Sequence, residues 1–333
     1  MTTETKIILD AHTDILLDVL LLRSKGEKSV LQKRLLPQLR AARINAVVCS
    51  LFIEEYLVPE GALRNALDQI SALKADLEES PAFVLCRNAE ECRKAAEEGR
   101  ISLFLSLEGA EPLGRDPLLL RIFHELGVRL LGLAWSRRNY ACDGVSFLER
   151  PACSAEGGLT DFGRELVREA HSLGIVLDVS HLNDAGFREL AAMSEVPFIA
   201  SHSNCRSLCS TPRNLPDDFL ELLAARGGVT GMNAYGPFVD GRYEKRKAEA
   251  LFAHLDHVLE VAGPEHAGIG LDLCGWLFSL KSEYEMSEDR DIFEDYHDAG
   301  RNFISRISAR YGEEIADALL GENFMRVFER VMR

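Results

Sequence analysis

Five side chains of the types that bind metal ions follow short apolar segments of this chain. They are His12, Asp14, Glu108, His181 and His202. Each segment has the length of a buried strand, and in a barrel of parallel strands the reactive groups collect at the carboxyl ends. Three imidazoles and two carboxylates at one rim could hold two divalent metal ions. The pattern therefore predicts a metal-dependent hydrolase.

Each member of this set also has a structural alternative. His12 and Asp14 lie two residues apart, so on a regular strand both side chains would face one ion. The H-x-D spacing alone is weak evidence for a metal site. Glu108 at the tip of an apolar strand needs compensation, from an arginine or from two metal ions that its oxygens bridge. A single histidine such as His181 or His202 is more often structural. Two in equivalent positions, beside the other three residues, favour metal binding.

Asp272 follows the apolar segment GIGL near the end of the chain. A carboxylate there is predicted to act as the general base that passes a proton from metal-bound water to the leaving group. The alternative is a carboxylate that orients a metal-binding histidine. Two further histidines, His254 and His257, are three apart on a predicted helix and are expected on its solvated face.

Eight short segments rich in Val, Ile and Leu predict buried parallel strands. They span residues 6–10, 46–53, 101–107, 130–135, 174–180, 197–202, 229–235 and 267–273. Helical periodicity fills most intervals, so the sequence predicts an α/β fold, a (β/α)8 TIM barrel in one domain over residues 1–333. Two long polar segments, 136–157 and 274–300, are predicted loops, the first of them a lid over the rim.

The composition restricts the partners and the compartment. The 333 residues include 38 Lys and Arg against 53 Asp and Glu, a formal net charge of −15. Such acidity disfavours nucleic acid and anionic membranes as partners, which leaves a small-molecule substrate. No signal peptide and no membrane-spanning segment are expected. Eight scattered cysteines favour reduced, mostly buried thiols and a cytoplasmic protein.

These motifs together resemble the membrane (renal) dipeptidase family, the metallopeptidases of family M19. The similarity runs from LDAHTD through LEGAEPL, GVRLLGLAW and GIVLDVSH to GIGLDL and GENFMRVFERV, and ASHSNCRSLCSTPRNLPDD is its most specific segment. The resemblance implies a (β/α)8 barrel with a binuclear zinc site that hydrolyses dipeptides. A possible homodimer is implied by the resemblance alone.

The resemblance also implies a division of the five ligands between two zinc ions. His12 and Asp14 would bind the first ion, His181 and His202 the second, and Glu108 would bridge them. Two zinc ions lower the pKa of a shared water to about 7, so a metal-bridging hydroxide would attack the peptide carbonyl.

Further residues match substrate-binding positions of the family. Arg213 would pair with the substrate's C-terminal carboxylate through its planar fork. Tyr235 would lie near the substrate pocket. Asp272 would match the aspartate after the last strand, in keeping with its predicted role as base.

Two positions depart from the family pattern. Trp135 stands where the family has a histidine that contacts the substrate, and an indole cannot supply a protonatable group. Loss of a polar contact made in the transition state costs about 10²–10³ in kcat. Cys274 replaces an aspartate of the family. Metal binding is expected to survive both changes, whereas efficient cleavage of ordinary dipeptides is not assured.

Three functional hypotheses follow. The first is a zinc-dependent dipeptidase. The second keeps the metals but acts on another amide, an N-acyl amino acid or a lactam, because of Trp135. The third is a catalytically silent metal-binding homologue, which the complete ligand set disfavours because a structural zinc site rarely uses two ions with an open position.

Overall fold

The computed structural model describes residues 5–146, 157–240, 248–277 and 291–333, and a closed barrel of parallel strands forms its centre. The strands are β1 (Leu9–Thr13), β2 (Ala46–Phe52), β3 (Phe83–Leu85), β4 (Ile101–Glu108), β5 (Val128–Gly132), β6 (Val176–Asp178), β7 (Ile199–Ala200), β8 (Val229–Met232) and β9 (Ala267–Ile269). With β3 set aside, each strand pairs with two parallel neighbours and β9 pairs with β1. The predicted (β/α)8 TIM barrel is confirmed.

Helices surround the barrel and connect its strands. The α-helices of the described ranges are Ile15–Ser24, Leu36–Ala42, Ala62–Leu77, Ala89–Glu97, Leu119–Leu126, Asp161–Leu173, Asp184–Met193, Asp217–Ala225, Gly236–Val239, Ala248–Val261, Tyr296–Ala299, Ser305–Tyr311, Glu313–Asp317 and Asn323–Val331. Three π-helical segments, Leu31–Leu35, Gly300–Ile304 and Ala318–Glu322, adjoin α-helices. None of the described helices is both long and apolar enough to cross a membrane.

Strand β3 is an addition that the sequence pattern did not predict. It has three residues and pairs with the first residues of β4, where β5 has not yet begun. It therefore lies outside the barrel. A three-residue strand carries too little periodicity to stand out from a loop.

Several barrel strands end earlier than predicted. The segments predicted over 174–180 and 267–273 end at Asp178 and Ile269. The reason is that carboxylates take the next backbone N–H groups: Asp178 accepts from Ser180, and Asp10 accepts from Leu271. At the rim where the predicted ligands lie, side-chain carboxylates thus take the place of the strand carbonyls as hydrogen-bond acceptors.

The long polar segments 136–157 and 274–300 fall partly outside the described residues, which exclude 147–156 and 278–290. Residues 147–156 of the predicted lid lie outside the described residues. Its described beginning is tied to the rim, because the Val145 N–H donates to the carbonyl of His181 at 2.7 Å. The second segment is not entirely a loop, since a short helix begins after Asp295, whose side chain caps it.

The barrel interior is filled from the end opposite the predicted ligands. Inward side chains of the strands, including Leu9 and Phe104, form one buried cluster with the apolar face of helix Asn323–Val331. The rings of Phe104 and Phe328 lie 5.0 Å apart. This helix closes one end of the barrel with apolar side chains, so the polar groups collect at the other end.

Two glycines allow the barrel strands to approach the segment before His202. A Cβ atom on Gly231, or one on Gly270, would overlap the carbonyl oxygen of Ser201. Real Cβ atoms do not approach backbone oxygens this closely. Only glycine therefore fits at both positions without moving Ser201 and His202.

Gly270→Ala is expected to destabilise the protein by about 1–3 kcal/mol, because the backbone must shift to relieve the overlap. Urea unfolding monitored by circular dichroism measures the change. Gly132→Ala is the matched control, because its Cβ would lie 3.4 Å from its nearest neighbour, an ordinary contact. Equal stability of the two variants would contradict this steric argument.

Candidate metal centre

The barrel brings all five predicted ligands to one rim. His12 lies in β1, Asp14 follows that strand directly, and Glu108 is the last residue of β4. His181 and His202 follow β6 and β7. The carboxyl ends of parallel barrel strands share one edge, so residues far apart in sequence converge there. Asp14 is not on the strand itself, since the helix that begins at Ile15 follows it.

Glu108 lies at the centre of this group. Its Oε1 atom is 3.0 Å from the Nε2 atom of His181 and 3.8 Å from that of His202. Its Oε2 atom is 3.7 Å from the Nε2 atom of His12 and accepts a hydrogen bond from Ser50 at 2.8 Å. Glu108 therefore faces imidazoles with both oxygens, which is the arrangement that a bridging carboxylate requires.

The side chains fit a metal site by their donor atoms. Ligand atoms of His12, Glu108 and His202 lie within 4.8 Å of one another, and so do those of His12, Asp14 and Asp272. The Nε2 atom of His12 and the Oδ1 atom of Asp14 are buried, and neither has a hydrogen-bond partner among the described residues. Buried polar atoms are rarely left unsatisfied unless a ligand completes them. Imidazole and carboxylate together suit zinc and similar divalent ions.

The carboxylates determine the protonation of His12. Burial lowers its pKa, but the charges of Glu108, Asp14 and Asp272 outweigh burial and raise it to about 10. Burial raises the pKa of Glu108 to about 8. Protons on these groups reduce the negative charge at the rim, and a metal cation bound there would replace them.

The other two imidazoles are neutral. Burial, followed by the nearby cationic side chains of Arg213 and His12, holds the pKa of His181 and of His202 well below the ordinary value. A neutral imidazole is the form that binds a metal. The Nε2 atoms of the two rings lie 2.9 Å apart and point to the same place.

Serines that sequence reasoning missed hold these two rings. The Nδ1 atom of His202 lies 2.6 Å from the Oγ atom of Ser201, whose hydroxyl also bonds Asp178. The Nδ1 atom of His181 lies 2.8 Å from the Oγ atom of Ser136. Such partners orient a ligand ring and direct its Nε2 atom inward. The serine in S-H-S precedes a predicted ligand, but a lone serine has no signal that distinguishes this role.

Arg213 is buried beside the histidines. Its guanidinium donates to the Nδ1 atom of His181 at 3.2 Å, to the Oγ atom of Ser203 at 2.7 Å and to the carbonyl of His202 at 3.0 Å. An arginine has five N–H donors, so two remain for a ligand. Burial lowers its pKa to about 10, which leaves it charged at neutral pH.

Asp272 lies next to His12, at 3.7 Å from its Nε2 atom. Asn233 donates to its Oδ2 atom at 3.0 Å, and the Sγ atom of Cys274 lies 3.5 Å from its Oδ1 atom. Asp272 and His181 have positive φ angles of 53° and 69°. Residues other than glycine adopt this conformation at a cost of about 1–3 kcal/mol, and such strain concentrates at functional sites.

The two predicted aromatic residues take different positions. The ring of Trp135 lies 5.8 Å from that of His181, so the indole borders the group of ligands. The ring of Tyr235 packs at 4.9 Å against Phe238, over which the guanidinium of Arg213 lies at 5.5 Å. Phe238 therefore lies between the ring of Tyr235 and the guanidinium of Arg213 in this chain of contacts.

One expectation about the remaining histidines is wrong. His254 is buried and not solvated, because its Nδ1 atom accepts from the N–H of Cys205 and its Nε2 atom lies 2.9 Å from the carbonyl of Val239. His254 thus links the backbone at Cys205 to the backbone at Val239. Seven cysteines are described, and all seven are free thiols.

Comparison with known proteins agrees with this geometry. A model of the membrane dipeptidase family, peptidase family M19, matches residues 2–333. The chain belongs to this family of metallo-dipeptidases. The resemblance inferred from the motifs is confirmed. Dipeptidase verJ of Clonostachys rogersoniana is 31% identical to the chain over 228 residues, which cover 68% of this chain and 57% of that protein.

Solved structures of family M19 enzymes share the fold. Dipeptidase AC, a metallopeptidase of family M19, matches with a TM-score of 0.84 at 29% identity over 99% of each chain. A metallopeptidase from Rhodobacter sphaeroides, solved with a phosphinate mimic of the dipeptide L-Ala-D-Ala, matches with a TM-score of 0.84 at 27% identity. That match covers 98% of this chain and 99% of the other.

Ser201→Ala is expected to weaken the binding of a divalent metal ion about 10- to 100-fold, because the Nδ1 atom of His202 loses its partner. Competition with a chromophoric chelator measures the affinity. Ser102→Ala is the matched control, since Ser102 is a buried serine near the start of β4, at the end of the barrel away from the ligands. An unchanged affinity in Ser201→Ala would exclude an orienting role for this hydroxyl.

Proposed function

We propose that the protein is a zinc-dependent dipeptidase with two zinc ions at the carboxyl end of the barrel. The observation that carries this proposal is Glu108, whose two oxygens face different imidazoles, Oε1 that of His181 and Oε2 that of His12. His12 and Asp14 would hold one ion, and His181 and His202 the other. Zinc in such a site supplies a Lewis acid and a nucleophile derived from water at neutral pH.

Asp272 is the proposed general base. It lies beside His12 and Asp14 with its side chain 13% exposed, and Asn233 holds one of its oxygens. Burial raises the pKa of Asp272 above its ordinary value, which brings the carboxylate closer to the range in which it can accept and then return a proton. Its position suits transfer of that proton to the departing amine.

Arg213 is the proposed partner of the substrate's C-terminal carboxylate. The two N–H groups that remain on its guanidinium are enough for a bidentate pair. Its other three hydrogen bonds fix the guanidinium before a substrate arrives, so little side-chain entropy would be lost on binding. A pocket that grips a free C-terminus restricts the substrates to short peptides.

The relatives support a peptide substrate. The Rhodobacter sphaeroides metallopeptidase was solved with a phosphinate mimic of the dipeptide L-Ala-D-Ala, and the relative verJ is named as a dipeptidase. A second function, hydrolysis of another amide such as an N-acyl amino acid or a lactam, is favoured only by Trp135, which stands where the family has a histidine. The homodimer and the cytoplasmic location remain predictions.

The zinc-loaded protein is expected to hydrolyse L-L or L-D dipeptides and to lose this activity when a chelator removes the metal. Release of free amino acids measures the turnover. Asp272→Asn should lower kcat by about 10²-fold or more, because the amide cannot accept the proton. Activity that persists without metal, or in Asp272→Asn, would contradict the mechanism.

Arg213→Met is expected to lower kcat/KM for dipeptides by about 10²-fold, because a charge-assisted bidentate contact is lost. The wild type should also prefer a dipeptide over its C-terminal amide, and the variant should lose this preference. Arg188→Met, which removes an exposed arginine paired with Asp218, is the control. Zinc stoichiometry measured in each variant separates loss of substrate binding from damage to the metal centre.

A further inference from the structure

Two aromatic rings and one guanidinium form a continuous surface beside the metal centre, here called the aromatic wall and made of Phe52, Trp135 and Arg137. The rings of Phe52 and Trp135 lie 5.2 Å apart, edge to face. The guanidinium carbon of Arg137 lies 5.1 Å from the centre of the indole and 5.9 Å from that of the phenyl ring.

The wall borders the candidate ligands directly. Phe52 ends β2 and is in register with Glu108 at the end of β4. The ring of Trp135 lies 5.8 Å from that of His181. Phe52 and Trp135 are both partly exposed, so a bound molecule at the metal centre can touch them.

Arg137 holds the wall rigid. Its guanidinium donates to Glu111 at 2.7 Å. It also donates at 2.7 Å to the carbonyl of Ile53, the residue that follows Phe52. The N–H of Arg137 donates to the carbonyl of Trp135 at 2.8 Å. A Cβ atom on Gly144 would overlap that same carbonyl, so the chain packs closely behind the indole. A surface fixed in this way loses little entropy when a ligand packs on it.

The chemistry of the wall favours an uncharged side chain. The guanidinium of Arg137 already lies over both rings, so a cationic side chain placed on them would meet a like charge. An anionic side chain would lose hydration against the two rings without gaining a cation, because the charge of Arg137 is already paired with Glu111. A large aromatic or aliphatic side chain meets neither cost and removes apolar surface from water.

We propose that the aromatic wall selects peptides with a large uncharged side chain, aromatic or aliphatic, next to the bond that is cleaved. This inference rests on the proposed dipeptidase function and names its substrate class. Trp135 is the residue that determines the specificity, and Arg137 positions it.

The test compares kcat/KM of the zinc-loaded full chain on Ala-Ala with that on Phe, Leu, Asp and Lys dipeptides, with the variable residue in either position. In the wild type, Phe or Leu is expected to exceed Ala at least about tenfold in one position, and Asp and Lys to fall below Ala. Trp135→Ala should bring the Phe-to-Ala ratio near one, and Trp135→Phe should restore most of the ratio.

Tyr56→Ala is the control, because Tyr56 is an exposed aromatic residue shortly after β2 that leaves the wall intact. Its Phe-to-Ala ratio should equal that of the wild type. A wild-type ratio near one, a higher rate on Asp or Lys dipeptides, or a ratio that survives in Trp135→Ala would overturn the proposal.

A binding measurement keeps the proposal separate from the dipeptidase function. Calorimetric titration of the zinc-loaded protein with phosphinate mimics of Ala-Ala and of its Phe-containing analogues gives the same ratio without turnover. If no dipeptide is cleaved but the Phe mimic binds at least about tenfold more tightly, the dipeptidase function fails and the selectivity of the wall stands. If the mimics bind equally, the selectivity fails.

Discussion

The rim of this barrel is organised around three carboxylates that are held, with little exposure to solvent, within a few ångströms of one imidazole. Asp14, Glu108 and Asp272 surround His12, whose Nε2 atom lies 3.7 Å from an oxygen of each. Buried negative charges repel one another and are stable only with positive charge beside them. The carboxylates raise the pKa of His12 for this reason, since its protonated form supplies positive charge. Metal cations would meet the same demand more fully than protons do.

The fold places these carboxylates, which need positive charge beside them, at one end of the barrel. Apolar side chains of helix Asn323–Val331 fill the other end, where Phe324 and Phe328 pack against the strands. At the rim, Asp10 and Asp178 accept backbone N–H groups that would otherwise extend the ladder. The strands therefore stop early and release the residues that follow them. These residues can adopt conformations that a strand would not allow, such as the positive φ of His181 and Asp272.

The rim carries two distinct groups of residues, the candidate metal ligands and the aromatic wall. Imidazoles and carboxylates face inward, where serines fix the rings and leave the Nε2 atoms directed at one place. Phe52, Trp135 and Arg137 lie at the side of this group and contribute no ligand atom to it. A change of the side chain at position 135 can therefore alter what fits beside the rim without removing a candidate metal ligand. Membership of the dipeptidase family is compatible with a substrate preference peculiar to this chain.

The sequence alone determined the barrel and the predicted ligands, because buried strands and the polar residues after them leave a local pattern. Eight apolar segments were enough to predict eight parallel strands, and the motifs were enough to identify the family. The contacts around the ligands depended on the tertiary structure. Ser136 meets His181 and Ser50 meets Glu108 only because separate strands end side by side. The burial of His254 and the packing of Arg137 on Trp135 likewise depend on which loops meet, and no local periodicity records that.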